Sequence, residues 1–188
     1  MSEILRPGLL DGLSVALERL GPVSGESLTE VLSDVLSALG ASLRSVDGSG
    51  DRPEGCDALV LDCAGWGQAG GAPTPGGADP LLRLLDDVWG LTMAVAVDGL
   101  IARRRGGRIV FIAPVVGSRN GAAPAAAALE NLSRTLSVEW ARHAITAVTL
   151  VPGPGTHPDH LATVVAYLLS PAGAYFSGAR LEIGALSR

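Results

Sequence analysis

At 188 residues the chain has room for one domain with a sizeable core, and no internal boundary divides it, so residues 1–188 are expected to form a single unit. Its 14 basic residues, all Arg, stand against 19 acidic ones for a net charge of −5, and the one basic run, Arg103-Arg104-Arg105, is too small for a nucleic-acid footprint. Apolar residues reach 47% but aromatics only 4%, a mixture that suits helices packed closely on a sheet better than a β-sandwich.

In chain order, residues 1–20 carry charges through their apolar part and lack the layout of a signal peptide. Residues 13–17 (LSVAL) read as a buried strand. Leu28, Val31, Leu32, Val35, Leu36 and Leu39 then repeat at helical spacing, with Ser27 and Glu30 in a capping-box pattern and Gly40 as a C-terminal stop. A second strand is expected over 42–46, a polar loop over 47–55 and a third strand over 58–61. Residues 66–79 are a Gly- and Pro-rich loop. A long helix is predicted over 80–104, apolar nearly all round and therefore covered on more than one side. Its closing Arg run reads as a solvated helix end favoured by the helix dipole. Strand 108–113, helix 124–143, strand 145–151, a helix capped by Asp159 and running to about residue 169, and a last short strand over 180–183 complete the order.

Strands and helices alternate, so the expected fold is a doubly wound, Rossmann-like α/β domain. It would have a mostly parallel sheet of about six strands with helices on both faces. No stretch reaches the roughly 18 uncharged apolar residues of a membrane span, and the chain is expected to be soluble and cytoplasmic. Cys56 and Cys63 make no disulfide framework and read as small core residues. His157-Pro158-Asp159-His160 reads as a turn with a helix cap, and no metal site is expected.

The strings GGRIVFIAPVVGS (106–118), AAPAAAALENLSRTLSVEWARHAITAVTLVPGPG (122–155) and PDHLATVVAYLLSPAGAYFSGARLEIG (158–184) resemble the short-chain dehydrogenase/reductase family, its 3-oxoacyl carrier-protein reductases above all. They match the strand and turn of the catalytic Ser, the catalytic helix and following strand, and the C-terminal helix and strand. More weakly, LDCAG (61–65) resembles the family's N-A-G turn and LGPVSGES (20–27) its glycine-rich cofactor loop.

By that resemblance the chemistry is missing. Active members use a Tyr to move the substrate proton and a Lys one helical turn later, which lowers the Tyr pKa and holds the nicotinamide ribose. Those positions fall on Ala122 and Ala126, the carbonyl-binding Ser falls on Pro114, and the Asn of the preceding helix falls near Asp87. In the cofactor loop Gly21 and Gly25 remain, the third Gly is Ser27, and Glu26 puts a negative charge where pyrophosphate would sit. Asp47 is the remaining candidate for a ribose hydroxyl. The helix and strand that follow the family's second strand are expected to be cut to residues 48–55, and its substrate lid to 152–158. The domain would thus be a shortened one with a vestigial cofactor loop, no catalytic residues and no cofactor of its own.

The kept parts are those that make subunit interfaces in the family. The resemblance therefore implies a pseudoenzyme subunit joined to an active paralogue through helices 80–104 and 124–143 and segment 159–184. That paralogue would hold NAD(P), and the complex would act on 3-oxoacyl or 3-hydroxyacyl thioesters; a homodimer is also open. Three other readings stand beside it. The chain could be a stand-alone module binding acyl-CoA or a nucleotide, a weakly active NAD(P)-dependent oxidoreductase, or an enzyme of unrelated chemistry on Asp62, Asp87 or Glu26. Neither nucleic acid nor a membrane is expected as a partner.

Overall fold

The computed structural model describes residues 5–21, 27–46, 55–66, 79–115 and 121–184. Six strands form one sheet in the order β2-β1-β3-β4-β5-β6, every neighbouring pair parallel. They are β1 (Ser14–Arg19), β2 (Ser42–Arg44), β3 (Ala58–Asp62), β4 (Gly107–Ile112), β5 (Ile145–Pro152) and β6 (Ala179–Ile183). The helices between them are α1 (Leu28–Ala38), α2 (Pro80–Val95), α3 (Ala122–Glu139) and α4 (Pro158–Leu169). Parallel strands need helical crossovers that cover both faces, so the central strands are apolar throughout, and all five residues of β3 are buried.

Alternation along the strands divides the core in two. Val15, Leu17, Val60, Val110, Ile112, Val148 and Leu150 face α1 and α4 and meet Leu32, Leu36, Leu161 and Val165. Ala16, Leu59, Leu61, Ile109, Phe111 and Ala147 face α2 and α3 and meet Val88, Val95, Ala125 and Leu129. Thr149 faces the second side, and its hydroxyl lies 3.0 Å from both the Leu129 carbonyl and the Ser133 hydroxyl of α3, so this buried polar group is satisfied.

Several boundaries differ from the sequence reading. The second strand stops at Arg44 instead of reaching 46, because Glu18 of β1 accepts hydrogen bonds from the Ser45 hydroxyl and the Val46 amide and takes the chain out of the ladder. The expected helix 80–104 is α2 followed by a π-helical segment, Ala96–Ile101. That wider turn keeps Ala96, Gly99 and Leu100 on the buried side. Helix α3 starts at Ala122 and not at Pro124, since a proline in the first turn removes only an amide that has no helical partner. It ends at Glu139, and a 3₁₀ turn (Ala141–His143) completes the expected span.

Two caps also differ. Ser27 stands at the N-cap of α1, yet its hydroxyl accepts from the Arg19 guanidinium at 3.2 Å and makes no capping bond to α1, so the capping box does not form. At α4 the cap is His157, whose Nδ1 accepts from the Asp159 amide at 3.3 Å; Asp159 is one residue inside the helix.

Candidate functional site at the carboxyl ends of the strands

In an open parallel sheet, ligands bind where the strand order reverses, beyond the carboxyl ends of the strands. Here the chain leaves β1 towards β2 on one side and continues from β3 towards β4 on the other, so the crevice lies at the ends of β1 and β3. Gly21, Ser27, Asp62, Pro114 and Ala122 lie at this end of the sheet. Asp87 is exposed on α2, away from the strand ends, and Gly25, Glu26 and Asp47 lie outside the described residues.

Gly21 follows β1 with φ +125°. A Cβ there would stand 3.1 Å from the Trp66 amide nitrogen and Cα and 3.3 Å from the Gly65 carbonyl carbon. The glycine therefore serves the close approach of two backbone segments, the loop after β1 and the turn after β3. That turn is closed by the Trp66 amide donating to the Cys63 carbonyl at 3.0 Å.

From the turn the Trp66 indole reaches across to Gly121, the residue before α3, where Cη2 and Cζ3 lie 3.3 and 3.4 Å from the Cβ position. One half-buried tryptophan, packed on the α2/α3 core, thus ties the loop after β1 to the start of α3. Ala122 and Ala126 follow on one face of α3, both buried. Pro114 is buried just beyond β4, where the preceding Ala113 amide still donates to Leu150. Neither a methyl group nor a proline ring can give or take a proton, so this face of the crevice has no acid or base from those three positions.

The polar groups of the crevice lie on its α1 side. Asp62, at the end of β3, is buried and accepts from the Thr29 hydroxyl at 2.8 Å and from the Ala64 amide at 3.0 Å. Burial pushes its carboxyl above the ordinary range, against the opposing pull of those two donors and the Arg19 charge. Burial likewise pushes the neighbouring Cys63 thiol up, with the Asp62 charge adding to it, and burial also raises Cys56, so neither thiol is a ready nucleophile.

Beyond Pro152, His157 and His160 have ring centroids 5.9 Å apart, and His157 Nδ1 lies 3.1 Å from the Asp159 carboxylate. Among the described residues no group of three or more His, Cys, Asp or Glu is placed to hold a metal ion. Nor is any helix of the described residues long and apolar enough to cross a membrane.

Solved structures agree with this architecture. A citronellol catabolism dehydrogenase of Pseudomonas aeruginosa superposes with a TM-score of 0.73 at 20% identity, over 98% of this chain and 98% of that one. A hydroxysteroid dehydrogenase from Escherichia coli gives 0.72 at 17% identity, covering 96% and 99%. A short-chain dehydrogenase from Mycobacterium smegmatis gives 0.69 at 18% identity, covering 96% and 95%.

The chain has the short-chain dehydrogenase/reductase fold. No protein-family model and no curated sequence matches it. The Rossmann-like sheet expected from the sequence is present, and all of its strands are parallel, not merely most.

The sequence reading names Asp62 only as a candidate for unrelated chemistry and singles out neither Trp66 nor the contact of Asp62 with Thr29. The signal for Trp66 was available, as a bulky side chain directly after the LDCAG turn that the resemblance places beside a cofactor. The Thr29 contact had none, since it joins residues of two elements that only the fold brings together.

Proposed function

We propose that this chain is a non-catalytic subunit that assembles with an active short-chain dehydrogenase/reductase paralogue. The complex would act on 3-oxoacyl or 3-hydroxyacyl thioesters, with NAD(P) held by the partner. The observation that carries this reading is a pairing. At the strand ends the Trp66 indole lies against Gly121 at the start of α3, next to the proton-inert Ala122, while α2 turns apolar side chains to the outside.

The described residues do not fit a dinucleotide. At Gly21 the direction a side chain would take is occupied by the Trp66 backbone, so this glycine serves the packing of two backbone segments. The indole lies against Gly121, and the Ala122 and Ala126 that follow carry neither a proton donor nor a cation for a nicotinamide cofactor.

Assembly rests on the outer surface. Leu82, Trp89 and Val97 of α2 and its π-helical continuation are 58%, 48% and 45% exposed, and Val138 of α3 is 75% exposed. Stable monomers seldom leave a contiguous apolar row of this kind in water. The substrate class comes from the sequence resemblance alone.

The test is light scattering on the full chain, alone and co-expressed with an intact paralogue, together with an NAD(P)-linked assay of each sample. A mixed complex is expected, with turnover only in the complex. A monomer in both samples refutes the assembly. Turnover above about one per minute by the chain alone, lost on mutating this chain, refutes the non-catalytic reading.

A further inference from the structure

At the amino-terminal end of the sheet, opposite the crevice, an open pocket of about 630 Å³ is lined by Ile101, Ala102, Arg104, Arg142, His143 and Ala144. It is a surface hollow: Ala102, Arg104, Arg142 and Ala144 are exposed, and Ile101 and His143 are half-buried. Half of its lining is basic, in a chain whose net charge is −5. Among the described residues no carboxylate forms an ion pair with Arg104, Arg142 or His143. The neighbouring Arg103 differs: it turns away to Asp57 at 3.2 Å and the Cys56 carbonyl at 3.3 Å. The Arg run thus splits, and only part of it is the solvated helix end that the sequence suggested.

The backbone around the pocket is constrained. Arg104 (φ +53°) and Ala144 (φ +55°) are the only non-glycine residues in the left-handed region among the described ones, and both line it. Gly106 holds the two segments together: at φ +76° a Cβ would stand 2.7 Å from the Ala144 carbonyl oxygen, which accepts from the Gly107 amide at 3.2 Å. A helix end gains from a cation anywhere in its last turn. Arg104 and Ala144 each close a helical segment in the left-handed conformation that glycine usually takes there, and this brings the two helix ends together around one hollow.

We infer that this pocket binds the phosphate or diphosphate group of a small soluble molecule. The Arg142 Nε–H donates to His143 Nε2 at 3.1 Å, which leaves the two terminal amino groups of Arg142 for an anion and puts the remaining ring proton of neutral His143 on Nδ1. Arg104 supplies a second guanidinium from the other segment. Two guanidiniums and an imidazole N–H make a donor set suited to tetrahedral oxyanions, which Arg grips in a bidentate manner.

Calorimetric titration of the full chain with sodium pyrophosphate tests this, with sodium chloride at equal ionic strength as control. Saturable one-site binding is expected for the unmodified chain. It should weaken at least tenfold in Arg142→Gln and in Arg104→Gly, a step of about 1.4 kcal/mol. The Arg104→Gly variant relaxes the left-handed backbone and should melt no lower than the parent, so a folding defect cannot account for its loss. No saturable heat with the parent, or equal affinity in both variants, overturns the inference. Binding of poly-glutamate that pyrophosphate does not displace also overturns it, in favour of an acidic protein partner.

Discussion

The two faces of the sheet are built from similar strands and end differently. On one face α1 and α4 lie side by side and pack on each other as well as on the strands. On the other, α2 and α3 meet over only a short stretch, and each keeps large apolar side chains outside. The buried sides are equally well filled, by Leu32, Leu36 and Val165 on the first face and by Val88, Val95 and Leu129 on the second. The difference is therefore not in how the sheet is covered but in what the covering helices show to the outside. A face that needed only to protect the core would resemble the α1/α4 side.

The comparison requires both faces to be integral to the fold, and paired truncations can break it. Leu36→Ala and Leu129→Ala each remove a fully buried leucine, one from each face. Each should lower the unfolding free energy by about 2–5 kcal/mol through lost burial and the cavity left behind. Urea unfolding with an unchanged slope would measure it. A near-silent Leu129→Ala would mean that α3 does not belong to the cooperative core, and the contrast between the faces would lose its footing.

A second, smaller effect is confined to the α1 side. Asp62 is held by Thr29 of α1, and burial raises its carboxyl above the ordinary value of 3.8. The folded state therefore binds a proton more readily than the unfolded one. Asp62 contributes most favourably below the unfolded value, and that contribution is lost as pH rises through the raised folded value. Stability should fall across this window and then level off. Asp62→Asn, which carries no titrating proton, should remove Asp62's part of the fall. Urea unfolding at a series of pH values for both proteins decides it. Identical profiles would mean that the donors around Asp62 fully offset its burial.

Most of the architecture was legible in the sequence, because a buried parallel sheet writes itself as short apolar runs alternating with helical periodicity. ALVL at 58–61 and RIVFIA at 108–113 fall on β3 and β4 to within a residue. The errors occur where a side chain intervenes. Glu18 ends β2 early, Arg19 takes Ser27 out of its capping role, and His157 replaces Asp159 as a cap. None of these is visible from local pattern, since each depends on which residues the fold sets opposite one another.

The candidate site was legible as positions and not as contacts. Ala122 and Ala126 on α3 and Pro114 just beyond β4 could be named from the sequence, but the Trp66 bridge from Gly21 to Gly121 spans three segments far apart in the chain. The pocket between Arg104 and Arg142 is of the same kind.

The smallest expected effect on stability carries the most weight for the comparison. Within helix α3, expected to meet a partner, Ala128 and Leu132 are half-buried and Leu132 packs on the α2/α3 core, so a charge there would disturb the fold as well as an assembly. The outward positions on α2 and its π-helical continuation are Leu82, Trp89 and Val97. Trp89→Glu and Val97→Glu replace side chains that already face water, so each should change the stability of the isolated chain by no more than about 0.5 kcal/mol. In a complex the same side chains would be desolvated, and burying an unpaired carboxylate there is strongly unfavourable. Association with the paralogue should then weaken at least a hundredfold, or about 2.7 kcal/mol, in the manner of an aromatic anchor removed from an interface. Ser37→Glu, at an exposed site on α1 outside the expected contact segments, is the control. Light scattering and thermal melting of the three variants separate the outcomes. Loss of the complex at unchanged melting temperature for Trp89→Glu and Val97→Glu, with Ser37→Glu unaffected, assigns the α2 row to a partner. A complex indifferent to both α2 charges would mean that the exposed row is not the contact surface, and that the two faces differ for a reason other than assembly.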